Sequence, residues 1–304
     1  MIYIKLIIGL ALLVYGGNML VDGSVKLAKR LGISSLLIGL VLVGFGTSTP
    51  ELVASLISVF ENSEGIAVGN VVGSNIANIL LVLGAASVMY PVSIDIKAFR
   101  RDGVMLGIST VALIIAALSG VISRFAGVVM VLCLLGYICY SYYVDRKTHL
   151  EEKNNEALPN GWLALAQAFV GIALTAYGAD LLVKNAIEVS KLWHVSDSVI
   201  GLTIVAVGTS LPELTASVVA SFKKENGVAF GNVVGSNIYN ALFILGTVSV
   251  CKPVNIPTGM EKDILIMTIV TILLCSIAIW QKKFTRLVGG LFLLSYVIYT
   301  WLLF

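Results

Sequence analysis

The sequence predicts an all-α integral membrane protein whose ten transmembrane helices form two inverted repeats of five helices, with a broken helix in each repeat. Three observations carry this prediction: the composition, the number of apolar stretches and an internal duplication. Hydrophobic residues make up 58% of the chain and charged residues 12%, and the mean hydropathy is +0.97. Because about a quarter of the residues in an ordinary soluble domain are charged, this composition excludes a soluble globular protein.

Ten apolar stretches are long enough to cross a bilayer, which takes about 20 helical residues. The first stretch follows Lys5 and resembles a signal peptide, but it has a twin in the second half of the chain: GLALLVYGGNMLV begins at Gly9 and GIALTAYGADLLV at Gly171. A segment with an internal twin is part of the structure. The ten stretches are centred near residues 12, 42, 78, 112, 133, 172, 204, 240, 271 and 294.

The duplication is clearest in two motifs that recur 162 residues further on. GTSTPEL at Gly46–Leu52 returns as GTSLPEL at Gly208–Leu214, and GNVVGSNI at Gly69–Ile76 returns unchanged at Gly231–Ile238. Five helices per copy is an odd number, so the second copy must enter the membrane in the opposite orientation. Inverted repeats are common in secondary transporters, whose sites lie near mid-membrane and are formed by discontinuous helices.

The chain divides into a first repeat at 1–144, a cytoplasmic linker at 145–161 and a second repeat at 162–304. The linker is the only long hydrophilic connection, and it is too short for a regulatory domain. Fourteen of the 20 Lys and Arg residues fall on the side of the membrane that holds this linker. Since short cytoplasmic loops are enriched in these residues, both termini are predicted to be extracytoplasmic in a multi-pass protein of the cell membrane. The basic residues are spread over many loops, so no nucleic-acid partner is expected. The expected partner is the lipid bilayer.

Both GTSxPE motifs are poorly suited to continuous helix. The ring of Pro50 removes an amide donor and clashes with the carbonyl of Gly46, and Pro212 does the same to Gly208. Backbone carbonyls freed in this way cannot face lipid, but they can line a cavity. The motif helices are therefore predicted to break where the repeated motif begins.

Each motif places one glutamate, Glu51 or Glu213, in an apolar run, where a carboxylate is costly and normally functional. No Lys or Arg occurs between residues 31 and 96 or between 192 and 222, so the expected counter-ion is a bound cation or a proton. The nearby polar residues offer oxygen atoms, which suit calcium, with its 6 to 8 oxygen ligands, and sodium. Cys and His do not cluster, which disfavours transition metals. The four Cys are expected to act as small packing residues without disulfides.

These paired motifs resemble the alpha-repeats of the cation/calcium exchanger superfamily, and specifically of its sodium/calcium exchanger branch. The resemblance implies that the second, third, seventh and eighth helices surround the ions and that the first and sixth slide across them. It also implies the following ligands: Glu51 and Glu213, shared by calcium and sodium; Thr47, Ser48, Thr209 and Ser210 with the carbonyls of Gly44 and Ala206; Ser74 and Ser236 at flanking sodium positions; and Asn78 and Asn240 at the centre.

Two details of the motifs refine what the resemblance implies. Similar potassium-dependent exchangers carry aspartate at the position of Asn240, so an amide there points away from potassium transport and gives the site a charge of about −2 when both glutamates ionise. Similar proton/calcium exchangers carry a GNxxE-type motif in place of GTSxPE, which favours sodium over protons. The expected transported ions are Ca²⁺ and Na⁺, and no cofactor is expected.

Three functions remain open from the sequence. The first is antiport of Na⁺ against Ca²⁺ by alternating access, and the second is a proton/calcium exchanger or a passive cation channel with the same site. The third is a membrane hydrolase using Ser48 or Ser210, which is weak because the motif helices contain no His or Lys to serve as base. A transporter, not an enzyme, is therefore predicted. Asn75 and Asn237 are expected to be structural, and Gly16, Gly17 and Gly178 to be packing residues.

Overall fold

The computed structural model describes residues 2–149, 158–192 and 206–303, and these are almost entirely helical. The α-helices are α1 (Ile2–Leu31), α2 (Ser35–Ile38), α3 (Gly44–Thr47), α4 (Thr49–Phe60), α5 (Glu64–Ala77), α6 (Gly84–Met89), α7 (Ile96–Ser119), α8 (Arg124–His149), α9 (Gly161–Leu192), α10 (Ala206–Thr209), α11 (Leu211–Phe222), α12 (Asn226–Ile238), α13 (Leu245–Cys251), α14 (Glu261–Gln281) and α15 (Arg286–Leu302). Three π-helical segments link some of them: Gly39–Val43, Asn78–Leu83 and Tyr239–Ile244.

The described residues include seven helices long and apolar enough to span a membrane, and eight when the bent pair Ser35–Thr47 and Thr49–Phe60 counts as one span. Two further apolar helices are shorter. Helix α15 lies at the predicted span centred near residue 294, and α11 comes just after the one centred near residue 204. The predicted span centred near residue 204 lies largely outside the described residues. The chain is thus an all-helical, multi-pass membrane protein, and the count of ten stays a prediction.

Four short strands, which the sequence did not predict, join the two halves of the chain. Strand β1 (Val92–Ser93) pairs antiparallel with β4 (Lys283–Phe284), and β2 (Val121–Ile122) pairs antiparallel with β3 (Val254–Asn255). A shift of 162 residues converts β1 into β3 and β2 into β4. The two pairs are therefore related by the same shift as the motifs.

The helices that carry the GNVVGSNI motif form the centre of the molecule. Over its most apolar 18 residues, Asn226–Cys251 is 83% buried and Glu64–Met89 is 72% buried. The corresponding share for the peripheral helix Arg124–Thr148 is 22%. Small residues allow this depth, because a side chain at Gly235 would collide with the backbone of Leu40. Transmembrane helices commonly approach each other through such small residues.

Helices α1 and α9 pack against each other along their length through glycines. A Cβ at Gly16 would lie 2.7 Å from the backbone nitrogen of Thr175, and one at Gly178 would lie 2.8 Å from the carbonyl oxygen of Gly9. A Cβ at Gly17 would lie 2.9 Å from a methyl carbon of Thr215 on α11. The packing role predicted for Gly16, Gly17 and Gly178 is confirmed.

Two sequence expectations require correction. The linker was expected from residue 145, but α8 continues to His149 because Asp145 is buried and accepts hydrogen bonds from the backbone nitrogen and hydroxyl of Ser34. Residues 150–157 lie outside the described residues. The cysteines were expected to pack inside the protein, but Cys133, Cys139 and Cys251 are exposed on its surface, as apolar side chains facing lipid can be.

Candidate cation site

The predicted break in the first motif helix is confirmed at Ser48, where the chain bends by 43° between α3 and α4. Pro50 lies within the first turn of the following helix, where its missing amide donor is tolerated. Ser48 has φ −83° and ψ 5°, and its twin Ser210 has φ −90° and ψ 6° ahead of Pro212. The same residues thus interrupt the helix in the same way in both copies.

The break positions the two glutamates in the first turn of α4 and of α11, and each is 1% exposed. The hydroxyl of Ser48 donates to Glu213 Oε1 at 3.2 Å, so the first copy's break contacts the second copy's carboxylate. One carboxylate oxygen of each glutamate has no hydrogen-bond partner, and among the described residues no Lys or Arg forms an ion pair with either.

Thr47 is tied to the second half-site through an asparagine. Its hydroxyl lies 3.0 Å from the carbonyl oxygen of Val43 and 3.2 Å from Asn232 Oδ1. The amide nitrogen of Asn232 donates to the carbonyl of Glu213 at 3.2 Å and to Ser217 Oγ at 2.8 Å. Asn232 therefore connects a hydroxyl of one copy to the glutamate backbone of the other.

Asn70 makes the equivalent contacts in the first copy. Its amide nitrogen donates to the carbonyl of Glu51 at 3.2 Å and to Ser55 Oγ at 3.0 Å. Sequence reasoning missed Asn70 and Asn232, although a signal was available: both are the asparagine of the repeated GNVVGSNI motif, and the serines they contact recur four residues after each glutamate.

Further buried asparagines contact each other across the two copies. Asn240 donates to Asn75 Oδ1 at 3.1 Å, and Asn75 lies 3.5 Å from the carbonyl oxygen of Asn237. Asn78 begins one π-helical segment and Asn240 lies in another, a feature that often marks functional positions. Several buried polar groups here lack a hydrogen-bond partner: the whole Asn78 and Asn237 amides, Asn240 Oδ1, Ser210 Oγ and Ser236 Oγ.

The other expected ligands lie around these groups. Ser74 is buried, and Thr209 is half-buried. Gly44 packs against the second copy, since a Cβ there would lie 3.0 Å from the backbone nitrogen of Ser236. Ala206 begins α10, and the five residues before it lie outside the described residues.

The side chains brought together are carboxylates, hydroxyls and amides. Among the described residues there is no group of three or more His, Cys, Asp or Glu that could hold a metal ion, so any cation here would be bound by two carboxylates and neutral oxygens. Oxygen donors suit hard cations such as Ca²⁺ and Na⁺ and disfavour soft transition metals. Buried carboxylate oxygens without partners are expensive in a membrane unless a cation or a proton neutralises them.

A multi-pass membrane protein with an oxygen-lined, carboxylate-bearing site at broken helices belongs to the class of ion transporters. A family model described as sodium/calcium exchanger protein matches residues 1–143 and 163–304. The chain therefore belongs to the sodium/calcium exchanger family, within the cation/calcium exchanger superfamily.

Individual proteins agree with this assignment. The chain is 31% identical to the sodium/calcium exchanger MaX1 of Methanosarcina acetivorans, over 99% of this chain and 98% of that protein. It is 32% identical to the inner membrane protein YrbG of Escherichia coli, over 91% of this chain and 88% of that protein. A solved structure of the sodium-calcium exchanger NCX_Mj superposes with a TM-score of 0.85 at 31% identity, covering 97% of this chain and 95% of that one. The family resemblance inferred from the motifs is confirmed.

Proposed function

We propose that this protein is a secondary active antiporter that exchanges Na⁺ for Ca²⁺ across the cell membrane by alternating access. The observation that carries the proposal is the pair of buried glutamates, one from each copy, which lack a cationic partner in the described part of the chain, with Ser48 of the first copy bonded to Glu213 of the second. One Ca²⁺ neutralises both carboxylates, and Na⁺ ions replace it by using overlapping sets of oxygens.

The proposed ligands are those implied by the motifs. Glu51 and Glu213 bind either ion, and the amide of Asn240 leaves the site charge at about −2. The unpartnered, buried oxygens of Asn78, Asn240 and Ser236 support their inclusion, because a buried polar atom without a partner is costly. The remaining ligands are Thr47, Thr209, Ser48, Ser210 and Ser74, with the carbonyls of Gly44 and Ala206.

We propose an architecture of ten transmembrane helices in two inverted repeats, 1–144 and 162–304, with both termini extracytoplasmic. Contacts that exchange under the 162-residue shift support it. Arg124 donates to the carbonyl of Cys251 at 3.3 Å, and its twin Arg286 donates to the carbonyl of Met89 at 3.5 Å. Each contact joins the first residue of a helix in one repeat to the last residue of a helix in the other, as an arrangement around a pseudo-two-fold axis requires.

Alternating access in this proposal moves α1 and α9 together against the ion-binding bundle. The glycines between the two helices allow close packing of the pair, since a Cβ at Gly16 would lie 2.7 Å from the backbone nitrogen of Thr175. The pair meets the bundle at Gly17, where a Cβ would lie 2.9 Å from a methyl carbon of Thr215 on α11. Opening then alternates between the two sides of a site that itself stays in place.

The test is ion flux in liposomes containing the purified protein. Vesicles loaded with Na⁺ are expected to take up Ca²⁺, and vesicles without Na⁺ are not, whether or not a pH gradient is imposed. Glu51→Gln and Glu213→Gln are each expected to lower the rate by about two orders of magnitude, because each removes half of the charge that binds Ca²⁺. Glu188→Gln, an exposed carboxylate on α9, is the matched control and is expected to transport at the wild-type rate.

Two outcomes contradict the proposal in different ways. Ca²⁺ uptake driven by a pH gradient without Na⁺ identifies a proton-coupled exchanger. Flux that follows the Ca²⁺ gradient alone, uncoupled from a second ion, identifies a channel.

A further inference from the structure

Two grooves flank the start of α9, where it packs on the end of α1. The first has a volume of about 550 Å³ and is lined by Lys26, Asn160 and Gln167 over the apolar side chains of Met19, Leu163 and Val170. The second, of about 590 Å³, is lined by Arg30 and Trp162 over Leu27 and Leu165. Each groove thus combines one cationic side chain with an apolar wall.

The end of α1 carries a concentration of positive charge. Lys26, Lys29 and Arg30 are all exposed, and no carboxylate is among the described residues that line either groove. Lys26 Nζ donates to Gln167 Oε1 at 2.9 Å, which holds the ammonium group at the mouth of the first groove. The stem of Arg30 lies against Gly161, the first residue of α9, which holds Arg30 at the second groove.

The charged side chains at the other end of the same helix pair can be compared with these, because α9 is the equivalent of α1 in the second repeat. Glu188 occupies the position equivalent to Lys26. One turn earlier, Lys184 is paired with Asp180 at 2.9 Å. Asp22, one turn before Lys26, is paired with Lys223 at 2.7 Å. Among the described residues, Lys26 and Arg30 therefore meet no carboxylate in the grooves that they line, whereas Lys184 at the other end is paired.

We propose that these two grooves bind anionic phospholipid, with one phosphate at Lys26 and another at Arg30 and with acyl chains along the apolar walls. The surroundings match this ligand: Leu163 and Trp162 are 68% and 82% exposed at the surface of a membrane helix, and Trp is typical of the headgroup level. Basic pockets between transmembrane helices suit anionic headgroups.

The apolar walls distinguish a lipid from a free anion. Inorganic phosphate would use Lys26 or Arg30 but would leave the walls of Met19, Val170 and Leu165 without a partner. The same helices are the pair proposed to slide during transport, so bound lipid would act on moving elements; that consequence rests on the proposed function, whereas the binding itself does not.

Binding is measured by native mass spectrometry of the purified protein titrated with phosphatidylglycerol, and with phosphatidylcholine as the neutral lipid. Because each cation near an anionic membrane surface contributes about a fivefold gain in affinity, the double variant Lys26→Gln with Arg30→Gln is expected to bind phosphatidylglycerol about 25-fold more weakly. The charge-conserving double variant Lys26→Arg with Arg30→Lys is expected to bind within about threefold of wild type by the same reasoning.

The matched control removes two exposed cations from the opposite end of the same helix pair, Lys5→Gln with Lys184→Gln, and is expected to leave phosphatidylglycerol binding unchanged. Equal losses in the two Gln double variants would overturn the proposal, since net charge alone would then explain binding. Wild-type binding of phosphatidylcholine as tight as that of phosphatidylglycerol would overturn it as well. Competition by inorganic phosphate at millimolar concentration would identify a free-anion site instead.

Discussion

The two copies of the repeat are alike in the backbone that forms the site and differ in the side chains that surround it. Asn70 and Asn232 hold the carbonyl of their glutamate at the same 3.2 Å, and the two serine breaks differ by only a few degrees. By contrast, Ser48 bonds the opposite glutamate, whereas the hydroxyl of Ser210 is buried without a partner.

The packing beside the breaks differs more. Phe45 lies 5.6 Å from Tyr239 and 5.5 Å from Phe243, ring centre to ring centre, and these rings lie beside Ser48. The twins of the three aromatics are Val207, Ala77 and Leu81, which are much smaller. Both copies therefore keep the same backbone geometry at the breaks and at the glutamates, while the packing behind that geometry has diverged.

The largest loss of stability is expected at the twin glycines of the α1–α9 contact, and comparing the two variants shows whether the glycines are equivalent. Gly16→Ala and Gly178→Ala each force a methyl group against backbone atoms and are expected to destabilise the protein by about 2 kcal/mol. Thermal unfolding of the purified protein measures both. Gly136→Ala on α8, which has no atom within 4 Å of the added Cβ, is the control and is expected to stabilise slightly.

Unequal losses of stability at Gly16 and Gly178 would show that the two repeats contribute differently to the α1–α9 contact. A loss at Gly136 similar to that at the other two would show that the cost does not arise from the α1–α9 contact.

The second prediction concerns the asparagines that hold the glutamate backbone. Asn70→Ala and Asn232→Ala are each expected to lower the transport rate about tenfold, because each removes a buried hydrogen bond to the turn that aims the carboxylate. Maximal rate and half-saturating Ca²⁺ concentration are measured together in liposomes. Asn18→Ala removes only an exposed amide that bonds the carbonyl of Val14 and serves as the control.

Equal effects at Asn70 and Asn232 would show that the copies share one mechanism of positioning. A normal rate in either variant would contradict the role assigned to it, whatever the other variant does.

Much of the fold was readable from the sequence because apolar length and motif repetition are local signals. The break at Ser48 followed from Pro50, because a proline is tolerated in the first turn of a helix but not in its interior. The short strands, such as Val92–Ser93 with Lys283–Phe284, were not predictable, since two-residue strands carry no periodicity and depend on a partner far along the chain.

The candidate site was readable in part for the same reason. Glu51 and Glu213 stood out because a carboxylate is rare in an apolar run. Asn232 did not, because its contact to the Glu213 carbonyl depends on how two helices of one copy pack, and its contact to Thr47 arises only where the two copies meet. Asp145 was misread because its charge predicted a solvated loop, whereas it is buried against the start of α2.

A smaller effect is expected from the serines at the two breaks. Ser48→Ala removes a hydrogen bond to a carboxylate and is expected to lower the stability of the ion-free protein by about 1.5 kcal/mol. Ser210→Ala removes a buried hydroxyl without a partner and is expected to leave that stability unchanged or slightly raised. Thermal unfolding without Na⁺ or Ca²⁺ measures both, and equal losses would mean that the two half-sites are not distinguished before ions bind.

The smallest effect is expected where the two repeats meet outside the ion site. Glu64 forms an ion pair with Lys252 at 2.9 Å and accepts hydrogen bonds from Asn255, whereas Tyr90, the twin of Lys252, has Lys224 over its ring at 5.7 Å. Side chains in the ion pair are 15% and 34% exposed, so Glu64→Gln is expected to cost up to about 1 kcal/mol.

Salt distinguishes these two contacts. Screening extends over about 10 Å at 0.1 M salt and about 3 Å at 1 M, so the cost of Glu64→Gln should shrink as salt rises. Tyr90→Leu removes a contact with the ring face, worth about 0.5 to 1 kcal/mol at an exposed site, along with apolar packing that salt does not screen. Unfolding at 0.05 M and 1 M NaCl separates the variants: a cost of Glu64→Gln that is the same at both salt concentrations would mean that hydrogen bonds to Asn255, and not the ion pair, hold that junction.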